Sequence, residues 1–110
     1  MLQIIGRNKD KNTRAAIRWV KERRVEYQFV DLDERKLSPK EWNSIFQSVE
    51  DSEDLIDRES QYYKKNGYGW REYDSKEEVM EHTELLILPV LRNGTKAHVG
   101  WSEKWVEENK

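Results

Sequence analysis

Apolar and polar residues follow two periods along the chain, one typical of strands and one typical of helices. A short apolar run over 2–5 is closed by Gly6 and predicts a buried strand at the start of the chain. The segment 13–24 has apolar side chains at helical spacing, and 25–29 alternates between apolar and polar residues. A strand, a helix and a strand in this order predict a βαβ unit with two parallel strands.

The second predicted helix has the strongest local signals. Ser38 and Glu41 have the spacing of a capping box, and Pro39 between them occupies the first helical position. The helix is therefore expected to begin directly after Ser38. Its apolar residues recur at i, i+3, i+4 and i+7 and predict one buried face, formed by Trp42, Ile45, Phe46 and Val49.

The residues beyond this helix predict shorter elements. A helix is expected over 55–66, and a further short helix is expected to begin with Ser75 as its N-cap, because Ser75 and Glu78 repeat the capping-box spacing. The apolar run 85–88 predicts a buried strand that ends before Pro89.

The last part of the chain predicts a β-hairpin and a closing helix. Asn93 and Gly94 both tolerate positive φ and lie between two apolar runs, so they are expected to form a two-residue turn. Ser102 is positioned to cap a final helix. The whole order predicts a single α/β domain over 1–110, with a mixed four-stranded sheet, flanking helices and a helical insertion over about 37–83, which is a thioredoxin-like arrangement.

Composition fits a globular domain with a strongly charged surface. Charged residues make up 38% of the 110 residues, but 20 basic and 22 acidic side chains nearly cancel. Five Trp and five Tyr supply large apolar surfaces, which disordered chains usually lack. The net charge of -2 gives no reason to expect a nucleic-acid partner. No apolar run approaches the roughly 20 residues that span a membrane, so a cytoplasmic location is expected by default.

The absence of cysteine excludes several kinds of chemistry. The chain cannot form a disulfide, a thiolate metal site or a thiol nucleophile. His82 and His98 lie far apart in the sequence and do not form a paired ligand motif. We therefore predict no metal site and no catalytic thiol.

Four stretches of the sequence together resemble the arsenate reductase-like (ArsC and Spx) family of the thioredoxin-like superfamily. They are the segments 10–16, 54–60, 88–90 and 99–101, which occur in the family's order and spacing. The resemblance covers almost the whole chain and implies the thioredoxin-like fold. It also implies a cis peptide bond between Leu88 and Pro89.

The same resemblance implies that the family's reactive groups have been lost. Asp10 stands where the nucleophilic cysteine is expected, four residues before Arg14, and Thr13 stands where a redox pair has its second cysteine. Without a low-pKa sulfur, the family's reaction with arsenate has no nucleophile. The sequence therefore predicts no arsenate reductase activity.

The cationic residues that bind the family's oxyanion are also replaced. Glu59 occupies the place of one arginine, with Arg58 one residue away. Leu88, before Pro89, and Trp101 occupy the places of two others. We name these positions as neighbours of the lost site.

Two roles remain open for Asp10. A carboxylate at the start of the first helix accepts backbone N–H groups and lies at the positive end of the helix dipole. It would also supply the negative charge that a thiolate supplies in the family. We favour the capping role, because Asp is a preferred N-cap residue.

The segment 62–73 contains five aromatic and three cationic residues, a composition found where proteins bind partners. Tyr63 is expected to pack in the core of the insertion. Tyr68, Trp70 and Arg71 are the predicted partner-binding residues, and a protein partner is favoured over nucleic acid.

Two classes of function follow. The first is a catalytically silent protein-binding or regulatory module, comparable to Spx-type regulators that contact the transcription machinery. The alternative is an oxidoreductase- or transferase-like enzyme of non-cysteine chemistry that binds glutathione or another anion near Asp10, Arg14 and Pro89. We favour the first because the nucleophile is missing, and in that case no cofactor is expected.

Overall fold

The computed structural model describes residues 1–110 and consists of four strands, five α-helices and two 3₁₀ turns. In chain order they are β1 (Leu2–Gly6), α1 (Lys11–Glu22), β2 (Tyr27–Asp31), α2 (Pro39–Gln47), a 3₁₀ turn (Ser52–Leu55), α3 (Gln61–Lys65), α4 (Ser75–Glu81), a 3₁₀ turn (Thr83–Leu85), β3 (Val90–Asn93), β4 (Lys96–Val99) and α5 (Glu103–Asn109). No helix is long and apolar enough to cross a membrane.

The strands form one mixed sheet in the order β2-β1-β3-β4. Strand β1 pairs in parallel with β2 and antiparallel with β3, and β3 forms an antiparallel hairpin with β4. The predicted α/β class, the βαβ unit and the four-stranded mixed sheet are confirmed. The Leu88–Pro89 peptide bond is cis, as the resemblance implied.

Strand β2 begins two residues later than the alternation predicted, because a turn closes helix α1. Arg24 has a φ of 56°, and its N–H donates to the Lys21 carbonyl at 3.2 Å. The N–H of Val25 donates to the Val20 carbonyl at 2.9 Å. These two hydrogen bonds form a Schellman motif, which holds Val25 outside the strand.

The hairpin turn also lies one residue later than predicted. Asn93 pairs with Lys96, so the two turn residues are Gly94 and Thr95. Of these two, only Gly94 has a positive φ, of 64°. This pattern is typical of a type II′ turn, whereas the prediction from Asn93-Gly94 required positive φ at both positions.

The chain divides into two compact units, which we describe separately. The sheet unit comprises Met1–Ser48 and Leu88–Lys110, and the insertion unit comprises Val49–Ile87. Helix α2 belongs to the sheet unit, although the sequence placed it within the insertion predicted over 37–83. Its capping box is present as predicted, with hydrogen bonds in both directions between Ser38 and Glu41.

One face of the sheet carries the aliphatic core of the sheet unit. Side chains from β1, β3, α1 and α5 form a single cluster of almost fully buried residues: Leu2, Ile4, Ala16, Val20, Leu91 and Val106. Because side chains alternate across a strand, Gln3 and Arg92, which pair with each other, point to the opposite face.

Helix α2 covers that opposite face through a polar network. Arg92 donates to Gln3 Oε1 at 2.8 Å and to Ser44 Oγ at 3.1 Å, and Gln3 donates to Glu41 Oε2 at 3.1 Å. Arg35 donates to both carboxylate oxygens of Glu41, at 2.9 and 2.8 Å. The hydrogen bond from Arg35 is the main reason that the pKa of Glu41 is lowered to about 2.

The insertion unit differs most from the prediction. The helix expected over 55–66 is shortened to α3 in its second half: Leu55 ends a 3₁₀ turn, and α3 begins only after Ser60, whose hydroxyl accepts the Tyr63 N–H as a cap. The strand expected over 85–88 is reduced to a single bridge between Ile56 and Leu86. A 3₁₀ turn precedes each of these two bridge residues and prevents a longer ladder.

The N-cap of helix α4 also differs from the prediction by one residue. The Asp74 carboxylate accepts the Glu77 N–H at 3.2 Å, and Ser75 is the first residue of the helix. Asp and Ser are equally favoured at an N-cap, so the sequence contained two candidates and the capping-box spacing selected the wrong one.

Candidate functional site

The loop between β1 and α1 is the place where the sequence predicted the lost nucleophile. Helix α1 approaches β1 closely here, because Gly6 has no side chain. A Cβ at Gly6 would lie 2.7 Å from Thr13 Cγ2 and would overlap Thr13 Oγ1. Thr13 is fully buried as a result. The pair positions the helix N-terminus, and with it Asp10, against the end of the strand.

Asp10 is the N-cap of helix α1. One carboxylate oxygen, Oδ2, accepts both the Thr13 backbone N–H and the Thr13 hydroxyl, each at 2.8 Å. Asp10 has the extended backbone conformation of an N-cap residue, with φ -81° and ψ 123°. The capping role favoured for Asp10 is therefore present in the structure. Both hydrogen bonds to its Oδ2 come from Thr13.

Other polar side chains of this loop bond to the end of β2 and to the turn that follows it. Buried Arg7 forms a 3.0 Å ion pair with Asp33, and Asn8 donates to Asp31 Oδ2 at 3.2 Å. Arg14 is exposed and donates to the Asn8 carbonyl at 3.3 Å. The structure thus brings Asp10, Thr13 and Arg14 together where the loop meets the first turn of α1, with Thr13 bonded to Asp10 and Arg14 bonded to the Asn8 carbonyl.

The residues around the cis proline are apolar. Pro89 is buried, and its carbonyl accepts the N–H of Gly100, which has a φ of 82°. Leu88 is half-buried. The Trp101 ring packs edge-on against Trp19, with ring centroids 5.4 Å apart. Where the resemblance places two anion-binding arginines, this chain has an aliphatic and an aromatic side chain.

Arg58 and Glu59 lie in the insertion unit and each has an ionic partner there. Arg58 donates to Glu53 at 3.1 Å, and Glu59 forms a 3.3 Å ion pair with Lys64. Both Arg58 and Glu59 are exposed. Each of the two side chains thus has an ionic partner within its own unit, and no bound anion is needed to explain its position.

Tyr68 is the centre of the insertion unit rather than a surface residue. It is 3% exposed and packs against three other tyrosine rings, Tyr62, Tyr63 and Tyr73, at centroid distances of 6.2, 5.7 and 5.1 Å. Its hydroxyl donates to Glu78 at 3.2 Å. Burial, together with this hydrogen bond, raises the pKa of Tyr68. The partner-binding role expected for Tyr68 is incompatible with this burial, whereas Tyr63 stacks on it as a core residue should.

Trp70 and Arg71 differ in how strongly neighbouring residues restrain their side chains. Trp70 is 90% exposed, the largest exposed fraction among the large apolar side chains. Arg71 stacks over the Tyr68 ring at 4.1 Å and donates to Glu78 at 3.3 Å. Trp70 and Arg71 are both exposed, but Trp70 is almost entirely in solvent, whereas Arg71 is held by Tyr68 and Glu78.

Helix α4 carries a group of potential metal ligands that the sequence analysis missed. Glu78, Glu81 and His82 each place a ligand atom within 4.8 Å of the other two. Their i, i+3, i+4 spacing on one helix is the sequence signal for this group. Glu78 already accepts hydrogen bonds from Arg71 and Tyr68, so this group is partly neutralised within the fold.

Comparison with known proteins identifies the fold. No family model and no curated protein matches the chain. Among solved structures, the YffB protein aligns with a TM-score of 0.80 at 17% identity, covering 99% of this chain and 98% of that one. An arsenate reductase from Vibrio cholerae aligns with a TM-score of 0.77 at 18% identity, over 99% and 97% of the two chains.

A third neighbour has the highest identity of those compared here. It is an arsenate reductase (ArsC) related protein from Brucella melitensis, with a TM-score of 0.68 at 21% identity, over 97% of this chain and 92% of that one. Likeness at this level of identity establishes the architecture. The chain has the thioredoxin-like α/β fold of ArsC-related proteins, and it has no cysteine.

Proposed function

We propose that the chain is a cysteine-less relative of the arsenate reductases that no longer carries out their thiol chemistry and acts by binding a partner protein. The observation that carries this proposal is the hydrogen bonding of Asp10. At the position expected for the nucleophile, a carboxylate is bonded through one oxygen to two groups of Thr13. It serves as a helix cap, and a carboxylate cannot supply the electrons that reduce arsenate.

The surroundings of the loop support the same conclusion. Oxyanion binding needs cations directed at one point, but Leu88 and Trp101 are uncharged, and Trp101 packs against Trp19. Arg14 lies four residues after Asp10, and its guanidinium donates to the backbone carbonyl of Asn8 at 3.3 Å. Asp10, Leu88 and Trp101 therefore supply neither a thiol nucleophile nor cations to bind an oxyanion beside it.

Trp70 is the residue through which we expect the partner to be bound. Exposed tryptophan is unusual on a surface without a function, and Trp is enriched among residues that dominate binding energy. The neighbouring Arg71 is oriented by Tyr68 and Glu78, which gives the surface a fixed cation beside the ring. By resemblance to Spx-type regulators, the transcription machinery of the cytoplasm is the first candidate partner.

The test is site-specific photo-cross-linking in the cell that produces the protein. A benzoylphenylalanine in place of Trp70 should form one dominant adduct. Met80, which is 45% exposed in the same unit, is the matched control position and should not form it. A Trp70→Ala variant of the tagged protein should lose the same partner on purification. Equal adducts from both positions, or none from either, would overturn the proposal.

A ligand screen tests the alternative enzyme function in the same material. A specific ligand of the native state raises the melting temperature. Because we expect no binding of glutathione, phosphate or arsenate, none of them should change it. Arsenate turnover with glutathione or thioredoxin systems should not exceed background. If glutathione raises the melting temperature and an Arg14→Ala variant loses this effect, the glutathione-dependent enzyme becomes the better proposal and the protein-binding module is rejected.

A further inference from the structure

Strand β4 forms one edge of the sheet, and β3 is its single neighbour in the order β2-β1-β3-β4. The outer edge of such a strand presents N–H and C=O groups to which an extended segment of another chain can add. Binding in this way depends on backbone groups, so it leaves little trace in a sequence.

The register with β3 determines which residues of β4 face outward. The N–H of Gly100 donates to the Pro89 carbonyl at 2.9 Å, and residues at every second position before it face β3 in the same way. Lys96 and His98 therefore direct their backbone groups toward β3. The N–H and C=O of Ala97 point away from the sheet.

A groove of about 490 Å³ follows this outer edge between helices α2 and α5. Helix α2 and its C-cap contribute Ser44, Gln47 and Ser48 to one wall, and α5 contributes Trp105 and Asn109 to the other. Because α2 and α5 cover opposite faces of the sheet, the groove lies at the level where one further strand would continue the sheet.

The two walls differ in chemistry. Hydroxyl and amide groups line the α2 wall, whereas the Trp105 ring supplies an apolar surface on the α5 wall. Side chains of an added strand point alternately to the two sides, so one set would meet polar groups and the other an aromatic ring. Lys96 and Glu108 give the lining one cation and one anion, and the groove therefore favours neither an acidic nor a basic segment.

We propose that an extended, uncharged peptide segment of a partner protein adds to β4 as a fifth strand, with polar side chains toward α2 and apolar side chains toward Trp105. The outward N–H and C=O of Ala97 provide the central hydrogen bonds. A second copy of this chain would bring its own α2 and α5 to the same edge, whereas a single peptide strand would not. The proposal does not depend on Trp70, which lies in the other unit.

The test uses a blocked hexapeptide of alternating threonine and valine, titrated into the full chain and followed by backbone amide NMR. Saturable shifts should centre on Ala97 and Val99, and the Ala97 amide should gain protection from hydrogen exchange. The control peptide has the same sequence with alternate amides N-methylated, which removes the donors that face β4. We expect it to bind about ten-fold more weakly or not at all.

Two variants locate the binding site on the protein. Ala97→Pro removes the outward N–H at a position where an edge strand tolerates proline, and it should weaken binding about ten-fold. Gln47→Trp fills the groove from an exposed helix position and should do the same without altering β4. Trp70→Ala should bind as the wild type does, which separates this inference from the proposed function.

Three results would overturn the proposal. They are equal affinity for the N-methylated peptide, shifts that centre away from β4, and a concentration-dependent dimer in which the Ala97 amide is protected without peptide. The last result would assign the edge to a second copy of the chain.

Discussion

The two units of the molecule are held together in different ways. In the sheet unit, several aliphatic side chains of similar size share the core, and a polar network attaches α2 to the other face. In the insertion unit, no helix exceeds seven residues, and the tyrosine rings that pack together all contact Tyr68. The insertion unit also buries aliphatic side chains, among them Leu55, Val79 and Leu85. The first unit therefore has no single central residue, whereas the second has one aromatic centre.

The largest effect that we predict tests this contrast directly. Tyr68→Ala should lower the free energy of unfolding by about 3–5 kcal/mol, the cost of truncating a buried aromatic residue. Ile4→Val, in the shared core of the sheet unit, should cost about 1 kcal/mol. Urea unfolding measures both values, and hydrogen exchange across Val49–Ile87 should report the first. A loss for Tyr68→Ala no larger than that for Ile4→Val would show that the Tyr68 ring is not central to its unit.

The polar network of the sheet unit should make part of its stability depend on acid. The pKa of Glu41 is lowered from 4.5 to about 2 in the folded chain, so its contribution is complete above pH 4.5 and is lost as the pH falls toward 2. The contribution is at most about 3 kcal/mol, the free energy that corresponds to this shift.

Denaturant unfolding at several pH values measures this dependence. Glu41→Gln should be less stable than the wild type at pH 7 and should lose less stability between pH 4.5 and 2. Parallel curves for the two proteins would show that Glu41 does not contribute as described.

A smaller effect concerns the loop of the sheet unit. Asp10→Ala should cost about 0.5–2 kcal/mol, the range for loss of an N-cap side chain. Asp10→Asn keeps an oxygen acceptor and should retain most of the stability. Thermal unfolding of the three proteins checks both statements. An unchanged melting temperature for Asp10→Ala would mean that its two hydrogen bonds to Thr13 contribute nothing.

The smallest effect is expected where the insertion unit is most exposed. Trp70→Ala should change the free energy of unfolding by less than about 0.5 kcal/mol, because the side chain is almost entirely in solvent. The same unfolding assay applied to Tyr68→Phe, which removes a buried hydroxyl bonded to Glu78, should show a loss of about 1 kcal/mol. A large loss for Trp70→Ala would make that ring part of the core.

The sequence predicted the sheet unit well because its signals are local or periodic. The capping box at Ser38, the apolar run in β1 and the hairpin signal at Gly94 each specify an element within a few residues. The family resemblance added the cis bond before Pro89, which no local pattern indicates.

The sequence predicted the insertion unit poorly because its structure depends on contacts between distant residues. Tyr68, Tyr73 and Glu78 come together through tertiary packing, and nothing in their spacing distinguishes the buried Tyr68 from the exposed Trp70. The proposed binding edge of β4 could not be predicted for a different reason. Backbone N–H and C=O groups are the same at every residue, and only the pairing register shows which of them point away from the sheet.

The close approach of Gly6 and Thr13 has a consequence for how this chain can vary over evolutionary time. A side chain at position 6 needs space that the buried Thr13 occupies, so the two positions form an epistatic pair. Gly6→Ala alone should be disfavoured because of this overlap, and it becomes acceptable only in a background where Thr13 has been reduced to a smaller residue. As a helix cap, Asp10 can be replaced by another good cap in one step, whereas a side chain at position 6 requires a change at Thr13 as well.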